Sequence, residues 1–176
     1  KVGQIPLYYG QKPTGRPVTP DNYVHMDKFP MRAEQTSLGM AASHIDTHFT
    51  PLYPFGFGLS YTQFEYRDLR LSTTELIESG KLNITVEVAN TGGVDAEEIA
   101  QLYIRDKVSS VSRPVRELKD YLRILVPAGQ SRTISFTLGK EDLGFYNQQS
   151  EFVVEAGTFV VWVGGNSTCE LSAEFS

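Results

Sequence analysis

From residue 64 onward, apolar side chains recur at every second position of the sequence. In the clearest run, Asn83, Thr85 and Glu87 alternate with four apolar residues, Leu82, Ile84, Val86 and Val88. Successive side chains of a β-strand point to opposite faces, so this alternation predicts a strand with one buried face. The part of the chain that follows residue 63 is therefore predicted to be all-β.

Turn residues divide the same part of the chain into short pieces, and a change of phase at Arg67-Asp68 indicates a β-bulge. The triplet Glu141-Asp142-Leu143 predicts one helical turn. Strands are predicted within 64–71, 82–88, 99–104, 118–126, 134–138, 152–154, 159–163 and 169–175. Seven or eight short strands with this spacing predict an immunoglobulin-like or fibronectin type III-like β-sandwich.

The first fifty residues lack any sustained period. Gln4–Tyr9 could form an edge strand, and repeated Pro and Gly residues interrupt the sequence from there to residue 50. A structureless segment of this length indicates an arm draped over something outside this sequence. Residues 1–62 are therefore predicted to be an extended arm and linker that end a larger domain, and residues 63–176 to be the sandwich. We expect only the sandwich to fold alone, with residues 1–50 disordered in the isolated chain.

The linker between these parts, PLYPFGFGLSYTQF at 51–64, carries much more large apolar surface than a solvated linker would. Tyr53, Phe55, Phe57 and Tyr61 are predicted to lie flat against a folded partner as interdomain contacts. The glycines between them allow the backbone to approach that surface closely or to adopt positive φ.

Charge and composition exclude several classes of function. The net charge is −5 with no run of Lys or Arg, which argues against nucleic-acid or anionic-membrane partners. The longest apolar runs have the length of strands rather than of membrane spans. A single cysteine, Cys169, excludes an internal disulfide and is interpreted as a small apolar residue on a strand. The first residues lack the regions of a signal peptide.

No set of residues predicts a metal, a cofactor or catalysis. His44 and His48 flank Asp46, but the motif has no nearby third ligand and lies in a Pro- and Gly-rich region, so we interpret it as an ordered loop. Glu97 and Glu98 are adjacent on a strand and point to opposite faces, so they cannot share a substrate. Glu141-Asp142 fits the charged start of a helical turn.

Trp162 and the tyrosines could form a platform for stacking carbohydrate. Trp162 stands among alternating apolar residues, which favours a core or inter-sheet position instead. Asn83 and Asn166 begin glycosylation sequons, which are informative only for a source with a eukaryotic secretory route.

The segment KVSSVSRPVR at 107–116 is predicted to leave the sheet as a loop that contacts other domains. Pro114 holds the preceding residue extended, so Arg113 is predicted to project outward and pair with a carboxylate of another domain. A solvated arginine on an exposed turn is the alternative.

Three motifs resemble the C-terminal portion of the glycoside hydrolase family 3 β-glucosidases: VGQIPLYYGQKPTGRP at 2–17, LYPFGFGLSYTQF at 52–64 and SRPVRELKDY at 112–121. The second motif is highly specific for the family. The resemblance implies that residues 1–62 end an α/β sandwich domain and that residues 63–176 are a fibronectin type III-like domain. Asp120, Tyr121 and Ala156 replace the family's usual Gly, Phe and Pro, which affects individual turns only.

The resemblance also implies a function. The family hydrolyses β-glucosides or β-xylosides with retention, using carboxylates that lie upstream of this sequence. The segment is thus expected to be inactive alone and to brace the upstream catalytic domains, which bind the β-linked oligosaccharide. A secreted or periplasmic location is implied. An autonomous carbohydrate-binding module and a protein-interaction domain remain alternatives.

Overall fold

The computed structural model describes residues 19–28, 30–32, 50–76 and 80–176. The predicted strand at 4–9, the arm up to residue 18 and the motif at 44–48 lie outside the described residues. The described part is nearly all β. Its strands are β1 (Phe64–Leu71), β2 (Leu82–Asn90), β3 (Ala96–Asp106), β4 (Glu117–Val126), β5 (Ser131–Leu138), β6 (Phe145–Tyr146), β7 (Phe152–Val153), β8 (Phe159–Gly164) and β9 (Ser172–Phe175).

Seven of these strands form two antiparallel sheets. One sheet has the order β1-β2-β5, and the other has the order β4-β3-β8-β9. The two-residue strands β6 and β7 pair with each other as a separate ribbon. The predicted all-β sandwich of seven or eight strands is confirmed. Within the ribbon, β7 lies in the predicted strand at 152–154, whereas β6 is an addition too short to show a period.

The core lies between the two sheets and is filled by the alternating side chains that defined the pattern in the sequence. From β2 and β5 these are Leu82, Ile84, Val86, Val88, Ile134, Phe136 and Leu138; from β3 and β8 they are Ala100, Leu102, Ile104, Phe159, Val161 and Val163. Phe159 and Phe175 stack with ring centroids 5.4 Å apart. Each such side chain contributes about 1.5–3 kcal/mol when it is removed from water.

The predicted bulge in β1 is present. The register of β1 against β2 shifts between Arg67 and Arg70, and Asp68 between them has a φ of 55°. Asp tolerates this left-handed conformation better than most residues, which explains how the strand changes phase there. The predicted helical turn is α1 (Lys140–Leu143), in which the Gly139 N–H donates to Asp142 Oδ2 at 2.8 Å.

A 3₁₀ turn at Met26–Lys28 is the other helical element of the described residues. No described helix is long and apolar enough to cross a membrane. The last strand starts at Ser172 rather than at Cys169, which lies half-buried in the loop after β8.

Candidate functional site

The linker presents its large apolar side chains to solvent. Tyr61 is 97% exposed, Leu59 93% and Tyr53 66%. Phe55 and Phe57 are each nearly half exposed, and the Phe57 ring packs against Tyr53 with centroids 5.2 Å apart. The sandwich therefore provides no burial for most of this surface, although the linker runs along it.

The first part of the linker is attached to the sandwich through its backbone. The Phe55 carbonyl accepts a hydrogen bond from the Ser167 N–H at 2.9 Å, and the Gly56 carbonyl accepts one from Gln101 Nε2 at 3.2 Å. The Phe57 N–H closes a turn on the Pro54 carbonyl. Gly56 has a φ of +81°, a conformation that glycine adopts without steric cost.

Gln101 is the centre of this attachment. Its Nε2 also donates to the Gly165 carbonyl at 2.7 Å, and its Oε1 accepts from the hydroxyl of Tyr103. Gln101 and Tyr103 both lie on the outer face of β3, yet both are buried. Both N–H groups of the Gln101 side-chain amide and its oxygen therefore take part in hydrogen bonds.

The second part of the linker is attached at its junction with β1. Thr62 Oγ1 donates to Asn90 Oδ1, and the Thr91 N–H donates to the Gln63 carbonyl at 2.9 Å. Asn90 is buried, and its Nδ2 donates to the Val94 and Val126 carbonyls. One asparagine thus joins the linker to the loop after β2 and to the end of β4.

A cleft of about 600 Å³ lies between these two attachments, beneath linker residues 56–62. Glu97, Glu98 and Glu170 line it together with Tyr66. The Tyr66 hydroxyl donates to Glu98 Oε1 at 2.7 Å, and burial followed by this bond to a carboxylate raises the pKa of Tyr66 far above its ordinary value. Tyr66 therefore remains a protonated donor at all physiological pH values.

The two adjacent glutamates line the same cleft but have different partners. Glu98 bonds to Tyr66 at the inner edge of the sandwich, whereas Glu97 pairs with Arg123 of β4 on the outer face. Among the described residues, no three His, Cys, Asp or Glu side chains form a group that could hold a metal ion.

Trp162 does not occupy the predicted core or inter-sheet position. It alternates with the core residues Val161 and Val163 and so lies on the outer face of β8, half-buried. The Arg116 guanidinium covers its ring at 4.2 Å and also donates to the Ser167 and Cys169 carbonyls, both at 2.7 Å. This ring face is therefore occupied by Arg116 and closed to a sugar.

Arg113 also differs from the prediction, because its side chain turns into the sandwich instead of projecting outward. Arg113 is 9% exposed, and its Nη1 lies 3.4 Å from Asp106 Oδ2 and donates to the Leu143 carbonyl at 2.9 Å. Its guanidinium also pairs with Glu117 at 3.1 Å and lies 5.2 Å from the centroid of the Phe145 ring. The outward geometry inferred from Pro114 is wrong, because inner carboxylates attract the guanidinium.

Burial at this end of the core affects its carboxyl groups differently. Burial raises the pKa of Asp106, although the Val108 N–H and the Arg113 charge act against it. Burial acts in the same direction on Glu117, but Lys119 and Arg113 outweigh it and lower the pKa of that group. The ion pairs and the hydrogen bond of Arg113 anchor the loop at 107–116 to the interior of the sandwich. Val108 of this loop remains exposed.

Gln101, Asn90 and Asp106 were not singled out by the sequence analysis. Each is a polar residue within or at the end of an apolar alternating strand. A polar side chain in such a position, where burial without a hydrogen bond would be costly, is the signal that could have identified them.

Comparison with known proteins identifies this arrangement. Residues 98–167 match the family of fibronectin type III-like domains. The chain is 39% identical over 166 residues to the periplasmic β-glucosidase of Salmonella typhimurium, an alignment that covers 94% of this chain and 20% of that protein. Over nearly its whole length, the chain is similar to the C-terminal portion of glycoside hydrolase family 3 β-glucosidases and β-xylosidases.

A second relative and a solved structure show the same similarity. A β-xylosidase of Formosa agariphila is 37% identical over 169 residues, covering 96% of this chain and 20% of that protein. The crystal structure of a β-glucosidase from Listeria innocua in complex with isofagomine superposes with a TM-score of 0.83 at 36% identity. The superposed region covers 99% of this chain and 22% of the Listeria innocua chain. The chain thus spans about a fifth of the length of these relatives.

Proposed function

We propose that this chain is the C-terminal accessory part of a retaining β-glucosidase-type glycoside hydrolase. The parent would hydrolyse terminal β-D-glucosyl or β-xylosyl residues of oligosaccharides, and this part would brace the catalytic domains. The observation that carries the proposal is the exposed apolar linker in a chain that matches a β-glucosidase over 94% of its own length.

The exposed linker supports bracing because the sandwich leaves the side chains of Tyr53, Leu59 and Tyr61 largely exposed. Leu59 and Tyr61 are almost fully exposed, and a docked body would gain about 1.5–3 kcal/mol from each large apolar side chain that it covers. A contiguous exposed apolar surface of this kind marks an interaction site. The occupant we propose is the upstream α/β domain, to which residues 1–62 would belong.

The loop at 107–116 remains a second proposed contact with the parent. Its anchor, Arg113, is internal, so the contact would be made by exposed apolar side chains such as Val108 and by Pro114, which is half-buried. A loop held from within by ion pairs keeps one shape, which lowers the entropic cost of docking.

The mass of the natural source protein tests the proposal directly. Antibodies raised against this chain should detect a polypeptide of several hundred residues in extracts of the source, in the secreted or periplasmic fraction. A natural product near the 19.6 kDa of this chain would contradict an accessory role in a larger enzyme.

The linker's docking role predicts a selective effect on the parent enzyme. The double substitution Leu59→Ser and Tyr61→Ser should lower the thermal stability of the full-length parent, because the docked interface loses about 3–6 kcal/mol of apolar burial. The melting temperature of the 176-residue chain should stay unchanged, since both side chains are exposed there. Differential scanning calorimetry of both proteins measures this.

Tyr146→Ser serves as the matched control, because Tyr146 is also an exposed aromatic residue but lies on the β6–β7 ribbon. An equal loss of stability in the parent with this control, or no loss with the linker variant, would exclude linker docking.

The isolated chain is expected not to cleave aryl β-glucosides. The resemblance implies that the family's catalytic carboxylates lie upstream of this sequence, and Glu97 and Glu98 are each held by a partner, Arg123 and Tyr66. Release of nitrophenol from p-nitrophenyl β-D-glucoside, compared with the full-length parent, provides the measurement. Turnover that copurifies with the 176-residue chain through successive columns would refute the assignment.

A further inference from the structure

Two buried side chains attach the linker to the sandwich: Gln101 holds its first part and Asn90 its junction with β1. Between Pro54 and Ser60, hydrogen bonds from Gln101 Nε2 to the Gly56 carbonyl and from the Ser167 N–H to the Phe55 carbonyl connect the linker with the sandwich. The large side chains of this segment, Phe55, Phe57 and Leu59, are half to fully exposed. These two hydrogen bonds hold the backbone of the segment at Phe55 and Gly56.

The Gln101 amide connects three elements at one point. It donates to Gly56 of the linker and to Gly165 in the loop after β8, and it accepts from Tyr103 of its own strand. The side chain is 6% exposed, so water cannot replace a lost partner without rearrangement. The three hydrogen bonds of the Gln101 amide thus fix its orientation relative to Gly56, Gly165 and Tyr103.

Glycine at position 56 makes this close approach possible. Gly56 has positive φ, and a Cβ there would overlap the side-chain amide of Gln101. The linker backbone at this acceptor is therefore shaped to receive an amide from β3.

We infer that Gln101 is a positioning residue: its amide sets the path of the linker across the end of the four-stranded sheet, and with it the orientation of the part of the parent that precedes the linker. This inference rests on the proposed function for its consequence in the parent. The fixing of the linker itself can be measured in the 176-residue chain.

Hydrogen exchange of the chain tests the first step. In Gln101→Leu, amide exchange at Phe57 and Ser167 should become about tenfold faster, because the segment loses an anchor worth roughly one to two hydrogen bonds. Gly56→Ala should have the same effect by displacing the amide. Tyr121→Phe is the matched control, since Tyr121 is the cross-strand neighbour of Gln101 on β4 and is 62% exposed.

Gln101→Glu separates positioning from simple loss of packing. An ionised carboxylate would face two carbonyl oxygens and repel the linker, whereas the protonated acid can donate to one of them. The protection factor at Phe57, which divides out the intrinsic pH dependence of amide exchange, should therefore be low at neutral pH and rise again as the introduced carboxyl becomes protonated. A protection factor that is equally low at both pH values, or equal to that of the unsubstituted chain at both, would overturn the inference.

Kinetics of the full-length parent test the second step. In Gln101→Leu, KM for an aryl β-glucoside should rise severalfold with kcat largely retained, because the catalytic carboxylates are untouched while the braced cleft is misaligned. Unchanged KM in a variant whose linker exchanges faster would overturn the orienting role. A parent without glycosidase activity before substitution would instead refute the proposed function, and the exchange experiment would remain valid.

Discussion

Arg113→Ala should destabilise the sandwich by about 3–5 kcal/mol, because it leaves Asp106 buried and charged without its counterion. Arg113 is also the donor to the Leu143 carbonyl and lies close to the Phe145 ring. The substitution therefore removes an ion pair, a hydrogen bond and a packing contact together. Urea unfolding of the 176-residue chain, followed by Trp162 fluorescence, measures the loss.

The control for this variant is Arg123→Ala. Arg123 also pairs with a glutamate, Glu97, but its side chain is 67% exposed, and exposed ion pairs contribute about 0–1 kcal/mol. A loss of similar size in both variants would mean that the buried environment of Arg113 is unimportant. Adding Asp106→Asn to Arg113→Ala should recover part of the stability, since the uncompensated charge disappears.

The stability deficit of Arg113→Ala should also depend on pH. The pKa of Asp106 is already raised by burial, and loss of the Arg113 charge raises it further. An acid with a raised folded-state pKa weakens folding as pH rises from its unfolded pKa, about 4, through the folded value. The deficit should therefore be complete at neutral pH and shrink as pH is lowered toward about 4. A deficit that is constant from pH 7 to pH 4 would contradict this.

Asn90→Ala should cost about 2–4 kcal/mol, because it leaves several buried polar groups without partners. The Asn90 amide donates to the Val94 and Val126 carbonyls, and its oxygen accepts from Thr62 Oγ1 and the Gly92 N–H. Thermal and urea unfolding of the 176-residue chain give the loss, and amide exchange at Thr91 reports release of the junction between linker and β1.

Asn83→Ala is the matched control on the same strand. Asn83 is exposed, and its side chain accepts one hydrogen bond, from Thr137 Oγ1, so its removal should change stability by no more than about 0.5 kcal/mol. If Asn90→Ala and Asn83→Ala lower the free energy of unfolding by the same amount, the buried network around Asn90 does not join the linker to the sandwich as its hydrogen bonds indicate.

Trp162 and Arg113 show where prediction from the sequence failed. Alternation with Val161 and Val163 places Trp162 on the outer face of β8, so the core interpretation was wrong, and only the structure shows that Arg116 covers its ring there. Pro114 restricts the backbone of Arg113, but side-chain direction depends on which charges are nearby. Asp106 and Glu117 lie seven residues before and four after it.

Features that depend on the local alternation of apolar residues and on turn residues could be predicted from the sequence. Strand positions, the bulge at Asp68, the helical turn and the sandwich class follow from alternation, since a period of two buries one face only in a sheet. The linker's exposed aromatic residues were likewise apparent from composition.

Tertiary structure alone decided which polar side chains became buried anchors. Gln101, Asn90 and Arg113 each meet partners more than twenty-five residues away, and no local rule specifies such partners. Their burial is tolerated because every lost contact with water is replaced by a hydrogen bond or counterion once the sheets close. Only the packed sandwich could therefore show that the buried amides of Gln101 and Asn90 hold the linker.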